Sequence, residues 1–206
     1  MIRFRDLLIN LSIEFGFIKI FSSKIELKYY SLHLKFNLKN KTMNKIILKN
    51  GIFGALIVTA VMVFVTYSMK TNPDFEPSMY IGFGSMLLAF SFIVFGILEQ
   101  RKVNNNVISF GSAFKTGVLI AFVTSTIYVL VWLVIYYNFF PDFIERYGEI
   151  ALKKTAVENV AAQKEELEWM KGVYTSPFGI IGMTYVEIFP LGIVVALVSA
   201  LILKKK

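Results

Sequence analysis

The chain has 206 residues, no cysteine, 56% hydrophobic and only 17% charged residues, with a mean hydropathy of +0.62. Soluble domains usually run at about 45–50% apolar and about 25% charged, so the composition excludes an ordinary soluble enzyme, a disordered tail and a disulfide-stapled module, and points to a membrane protein. The net charge of +8 lies in short segments flanking long apolar runs, the placement of topology signals rather than of a phosphate-binding face, so no nucleic acid is expected.

Residues 1–42 contain no Ala, Val or Pro and are dense in Ile, Phe, Lys, Leu, Ser and Asn. Two readings stand for this basic N-terminal extension. In one it is an upstream translation of AT-rich sequence and Met43 is the true start. In the other it is a basic amphipathic segment on the anionic inner leaflet, with alternation at Leu32, Leu34, Phe36 and Leu38. The one histidine, His33, falls here and receives no role; with no cysteine either, no metal and no cofactor are expected.

From residue 43 to 206 the chain reads as a four-span membrane domain. A helix needs about 20 apolar residues to cross roughly 30 Å of hydrocarbon. Four runs qualify: Asn50 to Met69, Ser78 to Leu98, Thr116 to Phe140, and Phe178 to Leu203. Residues 1–49 carry ten Lys/Arg against three acids, the 99–115 loop carries Arg101, Lys102 and Lys115 against Glu99, and the chain ends in three lysines. The other two connections hold Lys70 against Asp74 and Glu76, and five basic against seven acidic residues over 142–171. The positive-inside rule then places both termini on the cytoplasmic side.

The expected fold is all-α: a four-helix transmembrane bundle of two similar helical hairpins with an extracytoplasmic helical insertion. The hairpins share Lys49-x-Gly51 and Lys115-x-Gly117, Pro73-Asp74-Phe75 and Pro141-Asp142-Phe143, and Pro77-x-x-x-Ile81-Gly82 and Pro177-x-x-x-Ile181-Gly182. Gly192, Ala196 and Ala200, and Gly51 with Ala55, repeat at the spacing that lets helix backbones approach. The insertion is expected to be one outer helix over about 142–171, bent near Thr155. Asp142 and Glu145 would form its capping box and Glu149 and Lys153 an i,i+4 pair. Its apolar stripe would be Ile150, Val157, Val160, Leu167 and Met170, resting on the membrane or capping the bundle.

Glu187 is the chemical outlier, the one acid within a span. Such a residue costs at least a few kcal/mol and normally faces the bundle interior. Pro190 cannot donate to the Val186 carbonyl, which leaves a backbone acceptor beside it. Thr184 shares the helix, and Tyr128, Thr66 and Ser85 lie at similar depth on other spans. Glu187, Thr184, Pro190, Tyr128 and Thr66 therefore form a candidate intramembrane polar site. Either Glu187 is a neutral hydrogen-bonding strut between helices, or it binds a proton or cation during transport. No catalytic constellation is present, neither a Gly-x-Ser-x-Gly elbow, nor a Walker loop, nor a Rossmann fingerprint, so an enzyme is not expected.

With these residues in view, the chain from Met43 onward resembles a family of uncharacterised bacterial inner-membrane proteins, the domain-of-unknown-function 4199 family. The resemblance rests on Gly51 and Gly54, on Asn72-Pro73-Asp74-Phe75, and on Ile108-Ser109-Phe110-Gly111 leading to Phe114-Lys115-Thr116-Gly117. It continues through Pro141-Asp142-Phe143 and through Thr184, Glu187 and Pro190 to the lysine tail. It implies four spans and carries no activity. The leading expectation is a non-enzymatic accessory or scaffold protein. The alternative is a small oligomeric transporter or channel component using Glu187. Expected partners are the lipid bilayer and either a membrane-protein partner or further copies of the chain.

Overall fold

The structure is a computed structural model that describes residues 40–72 and 75–205. The chain divides between Lys45 and Ile46, and the packing below is that of the Ile46–Lys206 unit. Both readings of the N-terminal extension concern residues that lie, but for 40–42, outside the described ones.

The elements in order are α1 (Asn40–Thr71), α2 (Met79–Val103), α3 (Phe110–Asn138), α4 (Phe143–Lys154), a 3-10 turn (Val157–Asn159), α5 (Val160–Tyr174) and α6 (Pro177–Leu203). Among the described residues there is no strand, and α1, α2, α3 and α6 are each long and apolar enough to cross a membrane. α1, α2 and the start of α3 outrun the apolar runs because caps, not hydropathy, end a helix, while α3 stops at Asn138, short of the expected Phe140. The Ser109 hydroxyl accepts from Ser112 N at 3.3 Å and starts α3 ahead of the apolar stretch. The Ser176 hydroxyl accepts from Gly179 N at 3.0 Å, with Pro177 at the first helical position of α6.

Small residues set how closely the long helices pack. Gly192, Ala196 and Ala200 all lie on the buried face of α6. A Cβ on Gly192 would stand 2.7 Å from the Ala121 Cβ and 2.8 Å from the Phe90 ring, and one on Gly117 would stand 2.8 Å from the Ala196 Cβ. On α1 the buried positions Asn50, Gly51, Gly54, Ala55, Val58, Met62, Thr66 and Met69 fall at three- and four-residue steps, one helical face. Thr124 Oγ1 donates across that contact to the Gly51 carbonyl at 3.1 Å.

The basic end is closed by polar contacts. Lys49 Nζ pairs with Glu99 at 2.6 Å, Asn50 Nδ2 reaches the same carboxylate at 3.3 Å, and Thr116 Oγ1 donates to Gln100 Oε1 at 2.6 Å. Ile108 and Lys205 exchange both backbone hydrogen bonds at 2.9 Å, which ties the α2–α3 turn to the C-terminal lysines.

The insertion departs from the expected single helix. Thr155 is extended (φ −80°, ψ 131°) and its hydroxyl donates to the Ala151 carbonyl at 2.7 Å, which ends α4. The chain then folds back, and Leu167 of α5 packs on α4 at Gly148. A straight helix would have left its weak apolar stripe bare; the hairpin buries Ile150 and Leu167 and leaves Val157 in the turn, 93% exposed. Asp142 does precede α4, but its carboxylate makes no capping bond, and Glu149 pairs with Arg146 at 3.3 Å rather than with Lys153. The hairpin caps the bundle: Ile150 joins the cluster of Met62, Met69, Trp132, Ile135, Phe140 and Ile180, with Phe143 and Tyr174 packed against it.

Aligned on Pro77 and Pro177, the buried faces of α2 and α6 are out of phase. Ile188 is fully buried while Leu88, its counterpart, is 59% exposed. A one-residue offset restores the match, pairing Thr184 with Ser85, Ile188 with Ala89 and Ala196 with Ile97, all buried.

Candidate functional site

At the end of the bundle that carries α4 and α5, the helices leave a cavity of about 220 Å³. The wall from α1 is Val58, Met62, Thr66 and Met69, the face that α1 turns to the bundle. Gly82, Ser85 and Met86 come from α2, Tyr128 and Trp132 from α3, and Thr184 and Glu187 from α6. The hairpin closes the end with Phe143 and Tyr147 from α4 and Tyr174 from α5.

Four of the five candidate residues, Glu187, Thr184, Tyr128 and Thr66, thus meet in one space. Pro190 does not line it and lies exposed further along α6. Glu187 is the one charged residue of the lining. It sits among protein on several sides, yet the residue keeps exposed surface and lines the cavity. Two of the neighbouring hydroxyls are committed to their own helices: Thr184 Oγ1 donates to the Ile180 carbonyl and Ser85 Oγ to the Gly82 carbonyl, both at 2.7 Å. An interhelical strut would need a hydrogen-bond partner for Glu187, and among the described residues none is formed.

Aromatic rings and methionines share the rest of the wall with valines and with the hydroxyls of Thr66, Ser78 and Ser85. Trp132 packs edge-to-face on Phe143, with ring centroids 4.7 Å apart and planes at 80°, and Phe143 stacks on Tyr147 at 5.9 Å. Tyr174 stands 6.3 Å from Phe143 and 5.4 Å from Tyr136. Burial pushes the Tyr174 hydroxyl up to about 12; a hydrogen bond with Trp132 pulls the other way, and the Glu187 charge adds a smaller upward push. The sequence does not mark Trp132, Phe143, Tyr147 and Tyr174 as site residues because aromatic residues are scattered through the whole chain. Their signal is the four-residue step of Tyr128 to Trp132 and of Phe143 to Tyr147, which puts each pair on one helical face.

A family model described as a protein of unknown function, DUF4199, matches residues 49–205. The chain belongs to the DUF4199 family. The matched stretch takes in α2 to α6 whole and most of α1, and with them every residue that lines the cavity. No curated protein and no solved structure matches the chain.

Proposed function

We infer that this DUF4199 member is a multi-pass protein of the bacterial cytoplasmic membrane, with both termini cytoplasmic and the α4–α5 hairpin outside. On this reading the cavity is a non-enzymatic binding site in a small oligomeric transporter or channel component, and Glu187 is its ionisable group. One observation carries the reading: a carboxyl within a helix long and apolar enough to cross a membrane lines a cavity and has no hydrogen-bond partner among the described residues. A carboxyl at that depth is costly unless something stabilises it, and here water or a bound cation in the cavity must supply what the protein does not. Four spans per chain are few for a secondary transporter, which calls for several copies.

The accessory or scaffold reading draws on a different observation. Val157 and Trp169, 93% and 58% exposed, stand on the hairpin, outside the membrane-crossing helices, where a partner could cover them. Purification from native membranes in mild detergent, followed by cation-flux measurements in proteoliposomes, separates the two. The transport reading expects a homo-oligomer whose flux is abolished by Glu187→Gln with expression unchanged. A stoichiometric second protein, with no flux, would replace it by the accessory reading.

A further inference from the structure

We propose that the cavity takes a small organic ammonium ion, an alkylated or quaternary amine, held between the Glu187 carboxylate and the rings of Trp132, Tyr147 and Tyr174. This rests on the reading of the cavity as a binding site and names its ligand class. Three features of the lining converge on that chemistry.

The first is charge: the lining contains one carboxylate and no Lys, Arg or His. A cation is favoured there and an anion has no counter-charge. The second is the aromatic share of the wall. Rings from α3, α4 and α5 line the space, and aromatic faces attract ammonium groups through their quadrupoles, most strongly where water is excluded. Phe143 packs against Trp132, Tyr147 and Tyr174 and so holds the group together. The third is size and softness. About 220 Å³ is below the roughly 300–1,000 Å³ of sites for drug-sized ligands, and methionine side chains suit methyl groups better than water. A hard metal cation wants about six to eight oxygens, whereas the lining offers a single carboxylate, with the Thr184 and Ser85 hydroxyls donating to their own helices, beside ring, thioether and valine carbons.

The chain's two tryptophans make the test direct. Trp132 lines the cavity, while Trp169 is exposed on α5 and outside it, so Trp169→Phe leaves a single reporter. The full chain carrying that change, in lipid nanodiscs, is titrated with choline and with its uncharged isostere 3,3-dimethylbutan-1-ol. Trp132 emission and calorimetry are followed together. The expected result is saturable choline binding, no saturable response to the isostere, and at least tenfold weaker choline binding in Glu187→Gln. Tyr147→Leu lies outside the membrane-crossing helices and serves as a second variant; it should weaken choline several-fold. Equal binding of the isostere, or choline affinity unchanged by Glu187→Gln or by Tyr147→Leu, overturns the proposal. A Glu187-dependent response to sodium or potassium without one to choline overturns the ligand class and leaves the binding-site reading standing. No response to any of the four overturns both.

Discussion

Among single residues, the buried polar ones show most clearly what the fold tolerates. Ser125 is fully buried on α3 and its hydroxyl has no partner among the described residues. An unsatisfied buried donor costs on the order of 1 kcal/mol, so Ser125→Ala should raise the thermal midpoint of the detergent-solubilised protein; a lower midpoint would mean that the hydroxyl is satisfied after all. Tyr174 carries a pH dependence. Its folded-state value, about 12, lies above the ordinary tyrosine value of 10.0 because burial disfavours the phenolate. Stability from the neutral phenol is therefore fully present below pH about 10 and is lost as pH rises toward 12. Thermal midpoints should therefore fall across that window, and Tyr174→Phe should flatten the fall. Glu187 was legible from the sequence because an acid in an apolar run is conspicuous. That it finds no partner was not legible, since partners are set by helix rotation and depth.

Helix contacts follow the same division. The four-residue steps of Gly192, Ala196 and Ala200 announced a close-packed face, and all three are buried. Gly54 is the sharper case: a Cβ there would stand 2.8 Å from the Ala89 backbone carbonyl and 3.1 Å from Thr124 Oγ1. Backbone cannot move aside as a side-chain tip can, so Gly54→Val should destabilise by about 1–3 kcal/mol or more. Gly182 has nothing within 4 Å of its Cβ position, and Gly182→Ala should be neutral or stabilising by up to about 1 kcal/mol. Comparing the two unfolding midpoints checks both, and equal effects would mean that the α1–α2 approach is looser than it stands. The sequence reads the insertion as one helix because periodicity reports which face is apolar, not where the chain turns back. Thr155 was marked only as a bend, and the fold-back depends on Leu167 finding Gly148 of α4, a contact that no local pattern carries.

For the whole molecule, the absence of cysteine makes the proposed orientation testable without further engineering. Val157→Cys, in the exposed turn of the hairpin, should react in intact cells with a membrane-impermeant maleimide. Asn105→Cys, in the turn beside the basic end where Asn105 and Asn106 adopt positive φ of 56° and 63°, should react only after the cells are opened. The reverse pattern would invert the topology.

Composition and apolar run length were enough to anticipate that the described residues are all-helical, with four helices long and apolar enough to cross a membrane, because bilayer thickness and backbone hydrogen bonding leave few alternatives. Tertiary structure alone decided that the insertion is a hairpin capping the bundle, that α2 and α6 bury faces one residue apart from the register their prolines suggest, and that Glu187 shares a cavity with an aromatic wall drawn from three other helices. Each depends on the rotation and separation of helices far apart in sequence. A lipid-facing and a bundle-facing position can hold the same apolar residue, so the sequence pattern could not distinguish them.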